Sequence, residues 1–304
     1  MLENIYIKIR LALRNFVIKR PFLDLYFGNY LVNFDMAIRK LGILKNDNKY
    51  FIYHNGFKIN YLKDDYSLIN FIKTNNDYEE STRKVVERIL KKGDIFLDLG
   101  SHIGFYALIA ARIVGEAGHV YAFEPTPATR DTLNKNVADN NLSKIITVES
   151  FGVSDCSENV HFIVNSNSSE CNKIAQSNEG VENLITIETI SIDNYAILNN
   201  IKRIALVKMD IEGAEYRAIR GMGKIISENP DIKLIFEYNK KIMDENDSSS
   251  VKIFNILKEL GFNKFTIIYR GEIDIEIPRD FESIDLYSKR DNINILAQKV
   301  GNWL

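Results

Sequence analysis

The stretch Asp94-Ile95-Phe96-Leu97-Asp98-Leu99-Gly100-Ser101-His102-Ile103-Gly104 decides the fold of this 304-residue chain. An apolar run leads into an acid, Asp98, and a loop bounded by Gly100 and Gly104 follows. Then Ala107, Leu108, Ala110, Ala111, Ile113 and Val114 recur at helical spacing. Downstream, Tyr121-Ala122-Phe123-Glu124-Pro125 closes a second apolar run on a second acid. This is a strand–loop–helix–strand unit that can hold a nucleoside. The loop brings backbone N–H groups and a helix N-terminus to an anionic or polar ligand group. Glu124 stands where a carboxylate can accept hydrogen bonds from both hydroxyls of a ribose.

The glycine pattern selects among nucleosides. A dinucleotide loop reads G-x-G-x-x-G, because the backbone must approach a pyrophosphate closely at the second glycine. Here Ser101-His102-Ile103 separates the two glycines, and the side chain of His102 argues against a pyrophosphate. A ligand with a ribose and an amino-acid tail tolerates it, and S-adenosylmethionine is such a ligand. The plainer alternative is an α/β turn that uses glycine for positive φ. The paired acids at strand ends favour the ligand site.

Outward from this unit the pattern is regular. Ser81 is the expected N-cap of a helix through Val85, Val86, Ile89 and Leu90. The spacing predicts strands at 94–98, 119–123, 145–149, 159–164, 184–190, 204–209, 232–237, 264–269 and 292–297. Helices are expected at 103–114, from Pro127 to 140, at 213–220 and at 250–260. The polar stretch 165–182 reads as an exposed loop. Alternating β and α elements imply a doubly wound, mostly parallel sheet with a terminal hairpin. Before it, Phe51–His54 and Phe57–Leu62 flank Asn55-Gly56, the favoured pair for a two-residue type I′ hairpin turn. Asn-rich residues 74–77 read as a joint, which divides the chain into an N-terminal helical and hairpin region, 1–77, and a main domain, 78–304.

Composition excludes several classes. The net charge of −2 creates no basic field, so no nucleic-acid partner is expected. Two cysteines without a C-x-x-C form neither a disulfide scaffold nor a zinc site and suit a reducing compartment. Basic residues interrupt the N-terminal apolar stretch, so no secretory signal is read there, and no run approaches the ~20 apolar residues that span a bilayer. A cytoplasmic protein is expected. Residues 3–20 are amphipathic and basic; they either pack on the domain or make weak contact with a membrane surface.

A second constellation is Lys208-Met209-Asp210-Ile211-Glu212-Gly213-Ala214-Glu215, at the carboxyl end of the apolar run 204–209. Ligands of open α/β sheets bind beyond the carboxyl ends of strands. Lys208 and Asp210 share strand parity and point to one side. A lysine late in a central strand needs a counter-ion, and Asp210 or Glu212 is at hand. Glu237 ends the following run and faces the same edge. Such charges either form structural ion pairs and helix caps or carry chemistry.

Together with Gly152-Val153-Ser154-Asp155 and Ile190-Ser191-Ile192-Asp193, these blocks resemble the FkbM family of S-adenosylmethionine-dependent methyltransferases, from about residue 78 to the end. His102 and Ser101 stand where that family usually has Asn and Ala. The resemblance implies a class I methyltransferase (Rossmann-like) fold, a seven-stranded mostly parallel sheet with helices on both faces. It implies O-methylation of a hydroxyl, on a sugar of a glycan, glycolipid or secondary metabolite. It implies that Asp98, Gly100, Ser101, His102, Ile103 and Gly104 wrap the methionine moiety, that Glu124 and Pro125 hold the ribose, and that Val153 and Ser154 edge the adenine. Asp210 then lies near the transferred methyl.

The general-base candidates are Asp210, then Glu212 and Glu237, with Lys208 tuning a nearby acid or binding substrate. As hard oxygen donors, Asp210, Glu212 and Glu237 would suit Mg²⁺, although the sequence itself assigns no metal ligands. The alternatives are an NAD-linked oxidoreductase on a similar sheet and a non-catalytic protein that retains the fold.

Overall fold

The computed structural model describes residues 50–53, 56–62, 78–163, 173–174, 184–245, 250–269, 271–275, 284 and 293–301. The amphipathic segment 3–20, the turn residues 54–55, the joint at 74–77 and most of the loop 165–182 lie outside the described residues.

A hairpin, β1 (Tyr50–Tyr53) and β2 (Phe57–Asn60), precedes α1 (Glu80–Ile89). The doubly wound core begins with β3 (Ile95–Leu99), α2 (Phe105–Val114), β4 (His119–Phe123), α3 (Pro127–Asp139) and β5 (Ile146–Glu149). Short strands follow: β6 (Gly152–Val153), β7 (Asn159–Ile163), β8 (Lys173–Ile174) and β9 (Leu184–Ile190). Then come α4 (Ile192–Leu198), β10 (Leu206–Met209), α5 (Glu215–Arg220), α6 (Gly223–Glu228), β11 (Lys233–Tyr238), α7 (Lys240–Glu245), α8 (Ser250–Glu259), β12 (Lys264–Ile268), β13 (Glu272–Ile275) and β14 (Ile293–Gln298).

The main sheet runs β13-β12-β14-β11-β10-β3-β4-β5. Strands β5, β4, β3, β10 and β11 are parallel neighbours, and β14 enters antiparallel between β11 and β12. Leu97, Leu99, Val207, Met209, Leu234 and Phe236 lie in one core cluster and are fully buried. Each such side chain contributes roughly 1.5–3 kcal/mol of hydrophobic stabilisation. Phe96, Val120, Ala122, Leu206 and Ile235 pack in a second cluster with α2. Helix α2 is apolar nearly all round, as befits a helix enclosed on several sides. Those sides include the hairpin: Phe57 and Ile59 join the α2 cluster, and Asn60 Nδ2 donates to Asn136 Oδ1 of α3 at 2.8 Å.

The structure corrects four expectations. The sheet has eight strands rather than seven, because Glu272–Ile275 pairs with β12 as an edge hairpin. The runs at 159–164 and 184–190 are strands, but they form a separate small sheet, β6-β9-β7-β8. Ser81 is not a cap: α1 starts after Glu79, which adopts a left-handed conformation (φ 43°). Hairpin partners Tyr53 and Phe57 leave three residues between them instead of two. Three-residue loops end on a left-handed position, which suits Gly56 at φ 85°.

Candidate active site

The first half of the site is the loop after β3. Gly100 N and Ser101 N both donate to Phe123 O, at 3.0 and 2.9 Å, which ties the loop across the end of β4. Ser101 Oγ donates to Asp98 O at 2.7 Å and Gly104 N to Ser101 O at 2.8 Å. His102 adopts φ 51°, so the tight turn places a side chain where the backbone is left-handed. Gly100 has φ 78°, and a Cβ there would lie 2.0 Å from the Asp210 carbonyl oxygen. Only glycine lets the loop pass this close to β10.

Glu124 follows β4 and is 6% exposed. Its Oε2 accepts from His102 N at 3.1 Å and its Oε1 from Thr126 N at 2.8 Å. Burial pushes its pKa up, against the opposing pull of His102 and the Thr126 amide. Pro125 O accepts from Arg130 at 2.8 Å, and Ile103 O accepts from Asn136 Nδ2 at 2.8 Å. These bonds fix the loop from behind, through α3. Asp98 is buried, and its Oδ2 has no hydrogen-bond partner among the described residues. Burial raises its pKa to about 6, although Lys208 pulls it down.

The second half lies beyond β10 and β11. Parallel register sets Lys208 beside Asp98, and Asp210 N donates to Leu99 O at 3.0 Å. Lys208 is 2% exposed and pairs through Nζ with Asp210 Oδ2 at 2.9 Å. Its Nζ also sits 4.6 Å from the centre of the Tyr106 ring. Burial pulls its pKa down, but Asp210, Glu79 and Asp98 outweigh that and raise it, so Lys208 stays charged. Glu237 is the neighbour of Asp210 in register, one step past the Met209–Phe236 pair. Burial first, then Asp210, Glu212, Glu215 and Glu79, raises the pKa of Glu237 well above the usual carboxylate range. Glu212 turns through φ 52°, and its carboxylate joins those of Asp210 and Glu237.

The structure thus brings together Asp98, Gly100, Ser101, His102, Ile103, Gly104 and Glu124 on one side, and Lys208, Asp210, Glu212 and Glu237 on the other. Val153 and Ser154 follow β5, and Val153 shares a core cluster with Leu99, Phe123 and Met209. Val153 and Ser154 pair with β9, and Ser154 O closely approaches Gly221. Sequence reasoning missed three members. Tyr106 covers Lys208 and donates to Glu79 Oε2 at 2.7 Å. Glu79, from the turn before α1, acts on both Lys208 and Glu237. Glu215 is buried, accepts from Ile211 N at 3.1 Å through Oε1 and leaves Oε2 without a partner among the described residues.

Glu215 yields a pH prediction. Burial raises its pKa from 4.5 to about 7. The folded state therefore binds its proton more tightly than the unfolded chain does. The stability this confers is complete below about pH 4.5 and is lost as the pH rises through about 7. At 1.36 kcal/mol per unit, the loss is at most about 3 kcal/mol. Chemical denaturation of metal-free wild-type and Glu215→Gln proteins at pH 5 and pH 8 measures it. Wild type should weaken more than the variant between those values, by up to that amount. Equal slopes would mean that Glu215 stays ionised.

Comparison with known proteins identifies the family. The model of the methyltransferase FkbM domain matches residues 98–264. A hexuronic acid methyltransferase of Haloferax volcanii is 29% identical over 147 residues, 47% of this chain and 56% of that protein. The match thus spans little more than half the length of that relative. An uncharacterised protein of Methanocaldococcus jannaschii is 24% identical over 229 residues, 73% of this chain and 78% of its own. Among solved structures, an FkbM methyltransferase of Methylobacillus flagellatus aligns at a TM-score of 0.44 and 16% identity, over 76% of this chain and 53% of that one. No helix among the described residues is long and apolar enough to cross a membrane. The matched segment begins at Asp98 and takes in the glycine loop, Glu124 and the whole block from Lys208 to Glu215, and on that ground the chain belongs to the FkbM family of S-adenosylmethionine-dependent methyltransferases.

Proposed function

We propose that the chain is an O-methyltransferase that acts on a hydroxyl of a sugar or sugar acid, in a glycan, glycolipid or secondary metabolite. One observation carries this reading: the loop at Gly100 is in direct contact with the Asp210 backbone. A ligand on the loop therefore lies beside the acids that face the acceptor. The hexuronic acid methyltransferase among the relatives supports a carbohydrate acceptor.

The residues fit the donor. Asp98 Oδ2, buried and unpartnered among the described residues, suits the donor's ammonium group. Glu124 keeps lone pairs for a ribose diol beyond its two backbone bonds. When bound, S-adenosylmethionine supplies an electrophilic methyl on a sulfonium, which departs as a neutral thioether. The chain's own part is placement and proton removal. Fixing donor and acceptor in line accounts for most of the rate. Lys208, held charged under the Tyr106 ring, pairs with Asp210. Asp210 takes the hydroxyl proton, and the freed oxygen pair forms the new C–O bond. Glu212 and Glu237 bind neighbouring acceptor oxygens.

Calorimetric titration with S-adenosylmethionine, S-adenosylhomocysteine and NAD tests the donor. The first two should bind and NAD should not. Binding of NAD alone would make the chain an oxidoreductase, and binding of none would leave a folded protein without this activity.

A further inference from the structure

The carboxylates of Asp210, Glu212 and Glu237 each offer one oxygen, and these oxygens all lie within 4.8 Å of one another. Oxygen ligands sit about 2.3–2.6 Å from Ca²⁺ and about 2.0–2.1 Å from Mg²⁺, so ligands on opposite sides of one ion are separated by about 4–5 Å. Three oxygens within that span fit a single coordination sphere. Proximity of acids alone does not make a site, because acids also cluster on solvated edges. The second observation is Glu237 itself. It is 9% exposed, and its carboxylate makes no hydrogen bond or ion pair among the described residues.

A buried carboxylate in that state must take a proton or meet a cation, since an isolated buried charge is prohibitively costly. The nearby base, Lys208, is engaged by Asp210 at 2.9 Å. Glu215, whose charge also acts on Glu237, leaves a buried oxygen unpartnered among the described residues. The edge is thus short of positive charge just where an acceptor would approach.

We propose that Asp210, Glu212 and Glu237 bind one hard divalent cation, Mg²⁺ or Mn²⁺, which also ligates an oxygen of the acceptor. The cation site stands on the geometry alone, whereas its role at the acceptor rests on the methyl-transfer reading. A cation on the acceptor oxygen lowers the pKa of that hydroxyl. The O–H proton passes to a carboxylate oxygen or to water, and the oxygen pair attacks the methyl carbon. An acceptor with two adjacent oxygens, a vicinal diol or a hydroxyl beside a carboxylate, would chelate the ion.

The test uses the full chain stripped with EDTA. Free Mn²⁺ is followed by electron paramagnetic resonance, and S-adenosylhomocysteine binding by calorimetry. Wild type should bind one Mn²⁺ per chain with a Kd no weaker than about 10⁻³ M, the weak end of hard-cation modules. Mg²⁺ should compete. Glu237→Gln, and independently the more exposed Glu212→Gln, should weaken Mn²⁺ at least tenfold and leave S-adenosylhomocysteine binding intact. Absence of stoichiometric Mn²⁺ in wild type, or wild-type affinity in both variants, would overturn the site. Mn²⁺ binding without S-adenosylhomocysteine binding would uphold the site and remove the methyl-transfer reading instead.

Discussion

Replacing Glu124 by alanine is expected to weaken S-adenosylmethionine binding by about 10²-fold or more, close to 2.7 kcal/mol. Two losses combine. The carboxylate accepts from His102 N and Thr126 N, so it braces the loop after β3, and on the proposed reading it also holds the donor's ribose. Charge-assisted bonds of this kind contribute roughly 1.5–3 kcal/mol each, and truncation strands both amides. The ribose diol loses its acceptor in the same step. Glutamine in place of Glu124 keeps one acceptor oxygen and the side-chain volume, so it should fall between alanine and wild type. The fold should survive either change, because the core lies in α2 and the strands rather than in this side chain. Calorimetry with S-adenosylhomocysteine, alongside a melting curve, separates binding from stability. Alanine binding the donor within threefold of wild type would mean that the ribose is held elsewhere.

The local half of this site was legible before any coordinates. Residues 94–104 and 121–125 carry strand, loop, helix and acid in one contiguous reading, and the structure has the strands at Ile95–Leu99 and His119–Phe123. Strand parity puts Lys208 and Asp210 on one side and leaves Asp210 or Glu212 as the counter-ion; the structure pairs Lys208 with Asp210. What escaped depends on distance in sequence. The passage of Gly100 against Asp210 brings two strands' ends together, and no local pattern encodes it. Glu79 enters the site because the turn before α1 is left-handed, whereas a polar residue at Ser81 gave the stronger cap signal. Tyr106 lies in a helix that is apolar nearly all round, and only its place over Lys208 distinguishes it. Helices α4, α6 and α7 have six or seven residues, too few for a 3.6-residue period to declare itself. Strand β13 alternates Glu-Ile-Asp-Ile, a readable but very short signal at a sheet edge.

Asp210→Asn should leave the donor affinity within about threefold of wild type and lower kcat by about 10²–10⁴-fold, the usual worth of a general base. On the proposed reading the donor is held by Asp98, the loop and Glu124, and asparagine preserves the backbone bond from residue 210 to Leu99 O. The substitution also leaves Lys208 buried without its charged partner at 2.9 Å. Breaking a fully buried pair costs about 3–5 kcal/mol. The Asp210 side chain keeps 26% exposure, so water can solvate the remaining charge, and a loss on the order of 1–3 kcal/mol is expected. A double variant, Asp210→Asn with Lys208→Met, removes both charges and should recover much of that stability. If Asp210 is the base, turnover stays low in the double variant while its melting temperature climbs back. Recovery of turnover together with stability would reduce Asp210 to the counter-ion of Lys208. The proton would then go to Glu212 or Glu237, the two acids that share the edge.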